Sequence, residues 1–385
     1  VGLAASVVSF SWAASSCAPS DFLGPSSLVN VRILASASVP AYGQPGSPVT
    51  MHVLAYDGRP ASDRASSPMN FDWLVACEDP ANDAYYSCFP RGSLFPVAAG
   101  TTAAVAGDGG VAILTGDAGL ATDAGSIGLL SDSGACAALG DDAGIPAPIV
   151  SSSAFVMPAD VVSSHTPTPG ATPYGLAFVF NMACAGDAGL LPISPGDINP
   201  QQIPFGCYGS GGALVGSDDY TLGFARVYAY PADAGPDGGA ITNANPVISG
   251  VDVPSLGGLA PCFQGSGPSY VTSPITAKLC VAGGPCPSLQ IGPIVPSSSQ
   301  ETNPLTGARE LLWVDYFSTF GGFTSNTNLI ADPTTGPVGS LDKTDSKFQP
   351  PVPGPTDPTT GYVFAVVRDD RGGASWVTVP VVLAP

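Results

Sequence analysis

Only three Glu and three Lys occur among the 385 residues of this chain. Those two side chains ordinarily coat the solvent faces of helices, because their straight stems lose little rotamer freedom there. A long helix would have almost nothing here from which to build an exposed face. In their place stand 27 Asp, 48 Gly and 41 Pro, residues that interrupt helices and make turns. Apolar residues still make up 44%, which is enough for a core and too much for a disordered chain. The expected class is all-β.

Acids outnumber bases by 30 to 11, for a formal net charge of −19. Nucleic-acid binding needs clustered cations, and the few here are scattered singly, so no nucleic-acid partner is expected. Anionic membrane surfaces are disfavoured for the same reason. Asp-Ala-Gly recurs at Asp117, Asp123, Asp142, Asp187 and Asp233, and Asp-Gly-Gly at Asp108 and Asp237. These runs lack both the alternating ligands and final Glu of an EF-hand and the strict repeat of a calcium β-roll. They read as turns and surface loops, and neither a metal nor a cofactor is expected.

The segment Val1 to Ala14 (VGLAASVVSFSWAA) is apolar and ends in small residues before Cys17. It is too short to span a bilayer and matches a secretory h-region. Two processing routes fit: cleavage after Ala13 or Ala14, or lipoprotein-type cleavage before Cys17 that leaves this residue for lipidation. The expectation is export, with residues 1–17 as a signal-like segment and 18–26 as a tether. Cys17 would be the lipid anchor and the one link to a membrane.

Strand patterns follow. Leu28 to Pro40 reads as a strand, and Val49 to Tyr56 alternates with Val49, Met51, Val53 and Ala55 on one face. Asp57-Gly58 closes it as a turn. Asn70 to Cys77 is predicted to carry Phe71, Trp73, Val75 and Cys77 on one face, with the Trp at a sandwich centre. Between about 90 and 146 the pattern dissolves into Ala, Gly and Asp, a loop insert. Ala147 to Met157, Tyr174 to Cys184 and Tyr220 to Tyr230 resume the strands, and the last two are expected to pair. Pro231 to Thr242 is a Pro/Gly/Asp-rich linker. It separates a first unit, 27–230, from a second, 243–385. The second unit's candidate strands are Asn243 to Val253, Leu289 to Val295, Arg309 to Thr319, Tyr362 to Arg368 and Ser375 to Leu383. The last two flank a turn, Asp369 to Gly373.

Nine cysteines are present. Setting Cys17 aside leaves eight, an even number that permits four disulfides. With no CxxC pair and only His52 and His165 available, a zinc site is not expected. Oxidised cystines in an extracytoplasmic protein account better for the count. Spacing pairs Cys77 with Cys88 around a loop, and Cys184 with Cys207 around a Pro/Gly-rich connection. Cys280 and Cys286 enclose a tight loop whose closure would contribute roughly 2–3 kcal/mol. Cys136 and Cys262 are left over. Either they bridge the two units, or Cys262 displaces one member of the Cys280/Cys286 pair.

The segment YVFAVVRDDRGGASWVTVPVVL (Tyr362 to Leu383) resembles the final hairpin of PKD-like and other immunoglobulin-like modules. NPVISGVDV (Asn245 to Val253) is similar to their first strand, and LLWVDYFSTFGGFT (Leu311 to Thr324) to their central Trp strand. The first unit resembles such a module through Pro45 to Asp57 and Phe71 to Cys77. Behind a lipoprotein-like signal, the pair resembles cell-surface lipoproteins of myxobacterial type. The resemblance implies two immunoglobulin-like β-sandwich domains in tandem and a cell-surface location, but no activity and no functional residues. No Cys pair brackets Trp73 or Trp313 at the antibody inter-sheet spacing, so disulfides here should staple loops or edges.

Catalytic patterns are poorly represented. No G-x-S-x-G elbow exists. His52 reads as an outward strand residue and His165, in SSHTPTPG, as a solvated loop residue. With so many Asp, no carboxylate pair for glycoside hydrolysis stands out. The Gly-rich stretches lack the Lys and helix of a phosphate cradle. Tyr85, Tyr86, Tyr208 and Phe263 have the chemistry to stack on sugars, though packing is the commoner use of such residues. The expected function is a structural or binding module at the cell surface without catalysis, with an unknown protein or glycan as partner. The alternative is an adhesin that binds carbohydrate or protein through the 90–146 loops. An extracellular hydrolase ranks third.

Overall fold

The computed structural model describes residues 26–89, 111–112, 146–166, 170–191, 203–260, 263–264, 268–281, 284, 286–338, 346–352 and 359–384. Cys17, Cys136, Cys262 and most of the 90–146 insert lie outside them. The architecture is nearly all β. Among the described residues the α-helices are two short turns, Ala61–Ser66 and Val161–Ser164, and no helix is long and apolar enough to cross a membrane.

The first unit contributes β1 (Val31–Val39), β2 (Tyr42–Gly43), β3 (Pro48–Asp57), β4 (Asn70–Glu78), β5 (Val111–Ala112), β6 (Ile149–Val156), β7 (Gly175–Cys184), β8 (Asp187–Leu190), β9 (Phe205–Tyr208) and β10 (Tyr220–Ala229). One sheet runs β1-β3-β6 and faces a second, β2-β10-β7-β4-β5. Val49 and Met51 of β3 meet Ala177 and Val179 of β7 and Val227 of β10 in the core between them. The two long aromatic strands pair antiparallel as expected, from Tyr220 opposite Cys184 to Ala229 opposite Gly175.

The second unit contributes β11 (Gly250–Val253), β12 (Gly258–Leu259), β13 (Phe263–Gln264), β14 (Ser269–Val271), β15 (Ile275–Lys278), β16 (Leu289–Ile294), β17 (Leu312–Ser318), β18 (Gly322–Phe323), β19 (Thr327–Asp332), β20 (Gly336–Pro337), β21 (Ser346–Gln349), β22 (Thr360–Asp369) and β23 (Ala374–Ala384). A five-stranded sheet, β12-β11-β16-β21-β18, packs on an eight-stranded one, β13-β14-β23-β22-β17-β19-β20, to which β15 adds through β23. Val314, Tyr316 and Phe348 fill the core between them.

The two sandwiches also share a buried face. Leu34, Ala35, Leu54 and Tyr56 of the first unit cluster with Phe364, Val366 and Trp376 of the second. The sheets therefore stack five, three, eight, five, and the two inner sheets have both faces covered. This explains why β22 and β23 read as nearly continuous apolar runs instead of alternating ones. Within the 231–242 linker itself Ile241 is buried, while most of the rest is open or half-open.

Three sequence expectations change. A bulge between Trp73 and Val75 shifts the register of β4 on β7. Trp73 accordingly packs into the inter-sheet core while Cys77 faces the opposite side, so the four residues do not share one face; a bulge reverses the alternation beyond it. Asp187-Ala188-Gly189 is not a turn: it lies in β8, paired with β9. Trp313 is half-buried, with Val314 and Tyr316 holding the core of its strand. It lies opposite Arg368 of β22, on the face that carries Phe317 toward the first unit.

Candidate functional site at one end of the first sandwich

Three disulfides form as the spacing predicted. Cys77–Cys88 and Cys184–Cys207 have Cα separations of 5.7 and 5.6 Å, and Cys280–Cys286 one of 4.5 Å. Each ties a loop or strand end and none crosses a sandwich core. Disulfides persist in oxidising, extracytoplasmic environments, and three in one chain place this protein in one.

The Cys77–Cys88 bond closes a loop that holds all the non-glycine residues with left-handed backbone among the described residues. Asp79, Asn82 and Asp83 all adopt left-handed backbone, with φ of 48°, 58° and 55°. Asp and Asn tolerate this region better than other residues with a Cβ, yet three in five positions hold only if the surroundings insist. Those surroundings are visible. Asp79 donates its backbone N–H to Leu176 O at 2.7 Å and accepts a short hydrogen bond from His165 Nδ1. Tyr174 donates its hydroxyl to Asp83 Oδ2 at 2.5 Å. His165 Nε2 lies 3.6 Å from Asp83 Oδ1, and the imidazole packs 4.4 Å from the Tyr174 ring.

His165 is thus 8% exposed and locked between two carboxylates, not solvated. The Ser/Thr/Pro context of its sequence hid a partner 86 positions away. His52, expected to point outward, is half-buried on the face of β3 that Leu54 and Tyr56 turn toward the second unit, and burial lowers its pKa. The hydrogen bond to Asp83, followed by burial, holds the Tyr174 phenol above its ordinary range. Glu78 is 6% exposed, and its Oε1 has no hydrogen-bond partner among the described residues. Burial, with Asp160 nearby, pushes its pKa up to about 7. Despite this concentration of acids, no three His, Cys, Asp or Glu side chains among the described residues are placed to hold a metal ion.

The same loop delivers an aromatic pair to the outer face of the β2-β10-β7-β4-β5 sheet. Tyr85 stacks on Phe224 of β10 at 5.1 Å with 21° between the rings, and Tyr86 packs edge-on against Tyr85. Beneath them, Phe178 and Phe180 of β7 support Phe224. Period 2 places Tyr220, Leu222, Phe224, Arg226 and Tyr228 of β10 on this one face. Phe224 is 39% exposed, Tyr86 is 40% exposed, and Arg226 is open to solvent. The signal for this strip was in the sequence, as an alternating aromatic strand, but only the fold shows that β10 is left uncovered while β7 is not. Of the other sugar-stacking candidates, Tyr208 bonds Leu190 O through its hydroxyl inside the β8–β9 hairpin. Phe263 lies on β13 of the other unit.

No family model matches the chain, and no curated protein is significantly similar to it.

Proposed function

We propose that this protein is an exported cell-surface structural or binding module, tethered through Cys17, that presents loops on a stacked β scaffold and performs no chemistry. The observation that carries the reading is the set of three loop-stapling disulfides. They belong to an oxidising compartment, and they tie loops and strand ends to the scaffold, two of them within the cluster around Phe178 and Phe180. A hydrolase is the weaker reading on a specific ground. The one His–Asp pair among the described residues, His165–Asp79, turns its remaining ring nitrogen toward Asp83 at 3.6 Å, whereas a catalytic histidine presents that nitrogen to a nucleophile.

The test is metabolic labelling with a radiolabelled fatty acid in a bacterial host, followed by surface proteolysis of intact cells. Label on the wild type and none on Cys17→Ser supports the reading. Protein retained inside the cell would overturn it.

A further inference from the structure

We infer that the open strip of β10 binds a carboxylate-bearing saccharide, with sugar rings against Phe224 and Tyr86 and the carboxylate on Arg226. This deepens the binding reading above and rests on it. Three observations converge. The first is fixed placement: Tyr85 stacks on one face of Phe224, Phe178 and Phe180 hold its ring edge-on and tilted from below, and the rest of Phe224 is left exposed together with Tyr86. Rings this constrained present their apolar surface without an ordering cost on binding. Exposed aromatic surface beside polar groups is the usual mark of a recognition site.

The second is the state of Arg226. The other well-packed arginines are spent internally: Arg59 on Asp57 and Asp219, Arg368 on Asp315, and Arg371 on Glu301 and Glu310. Arg226 is exposed and has no acid within ion-pair distance among the described residues. The neighbouring loop acids Asp79 and Asp83 are engaged by His165 and Tyr174. In a chain of net charge −19, an uncommitted guanidinium on an aromatic face is a local complement to one carboxylate, which it can hold in a bidentate fork. Distant acids are screened beyond about 8 Å at physiological ionic strength, so the overall charge does not cancel that attraction.

The third is the loop itself. Left-handed backbone at Asp79, Asn82 and Asp83, a disulfide and the His165 and Tyr174 contacts all hold the segment that ends in Tyr85 and Tyr86. Such over-determination positions a side chain for recognition.

The experiment uses the full oxidised chain and titration calorimetry with trigalacturonate, a neutral galactose trisaccharide and a tri-glutamate peptide. Binding of trigalacturonate, at least tenfold weaker binding of the neutral sugar and of the peptide, and weakening by salt are expected. Arg226→Ala and Tyr86→Ala should each weaken trigalacturonate at least tenfold with unchanged melting temperatures, since neither side chain is buried. The inference is overturned if trigalacturonate does not bind at millimolar concentration, if Arg226→Ala binds like the wild type, or if the peptide binds as well as the sugar. Correct surface display together with any of these results would remove the sugar site and leave the broader reading standing.

Discussion

The guanidinium of Arg371 lies over the ring of Tyr42, 5.6 Å from its centroid, and the two residues belong to different sandwiches. Arg371 also pairs with Glu310 and, at 2.9 Å, with Glu301, and it donates to Thr242 O at 3.0 Å at the end of the linker. Two of the chain's three glutamates are therefore committed to this one cation. Farther along β22 from this charged clasp, the rings of Tyr56 and Phe364 meet across the same two units, 5.6 Å apart. Arg368 Nη2 adds a hydrogen bond to Leu34 O at 2.7 Å, and Asn245 Nδ2 one to Ser38 O at 2.8 Å.

Removing Arg371 should be costly because Glu310 is 1% exposed. Arg371→Met leaves that carboxylate buried without a counter-charge, a loss of about 3–5 kcal/mol. Replacing Glu310 with Gln in the same chain should recover a large part of it, which urea denaturation of the single and double variants would measure. A single-variant cost below about 1 kcal/mol would show that solvent reaches the pair.

Cutting the linker should not separate the units. Limited proteolysis, or a cleavage site inserted between Gly238 and Gly239, is expected to nick the exposed 231–240 stretch first. The nicked halves should still co-elute on size exclusion, because the cluster around Leu54, Tyr56, Phe364 and Trp376 stays buried between them. Elution as two separate fragments would mean that this face is not a stable interface.

Glu78→Gln should stabilise the protein, and increasingly so as pH rises. The folded-state pKa of Glu78 is raised from 4.5 to about 7, so its proton stabilises the fold at acidic pH, and that contribution is lost as pH climbs toward 7. Gln has no proton to lose. The advantage of the variant should be near zero at pH 4, grow through the window from 4.5 to 7, and level off above it at no more than about 3 kcal/mol. Thermal melts at several pH values would read this, and a pH-independent difference would contradict it.

Gly58→Ala should destabilise strongly. A Cβ there would stand 2.3 Å from Leu28 O, and that backbone is itself held by the hydrogen bond from Leu28 N to Ser318 O at 3.0 Å. A backbone atom cannot swing aside as a side chain can, so a cost of about 2 kcal/mol or more is expected. Chemical denaturation would measure it, and a change within about 0.5 kcal/mol would show that the N-terminal segment relaxes freely.

Gly58 also shows how a correct residue can be read for an incomplete reason. In the sequence, Asp57-Gly58 signalled a turn at the end of β3. In the structure the glycine is needed because the Leu28 segment passes against it, and Asp57 is drawn into an ion pair with Arg59. Local pattern can report a glycine but not the strand that crosses it. The β4 bulge is similar. Period 2 is a property of a regular strand, and the single extra residue near Leu74 that parts Trp73 from Cys77 leaves no mark in composition. His165 was misread because its partner Asp79 is distant in sequence. The sugar-stacking candidates Tyr85 and Tyr86 were visible, whereas Phe224 and Arg226 gained meaning only once β10 was seen with an open face.

Local chemistry was enough for several properties of this protein. Scarcity of Glu and Lys with abundant Gly, Pro and Asp determines an all-β chain, since a helix would have no solvent face. Cysteine spacing points to Cys77–Cys88 and Cys184–Cys207 as loop disulfides and leaves Cys280 a choice of Cys286 or Cys262, because bridging needs Cα atoms within about 7 Å and only the fold supplies that for each pair. The stacking of the sheets was decided by tertiary structure alone. An alternating strand reveals that one face is buried, but whether the other meets water or a second sandwich depends on contacts such as Tyr56 with Phe364, more than 300 positions apart. The same long-range packing decides which polar groups become special, because burial and charge partners, not residue type, lock His165, raise the pKa of Glu78 and leave Arg226 without an acid partner among the described residues.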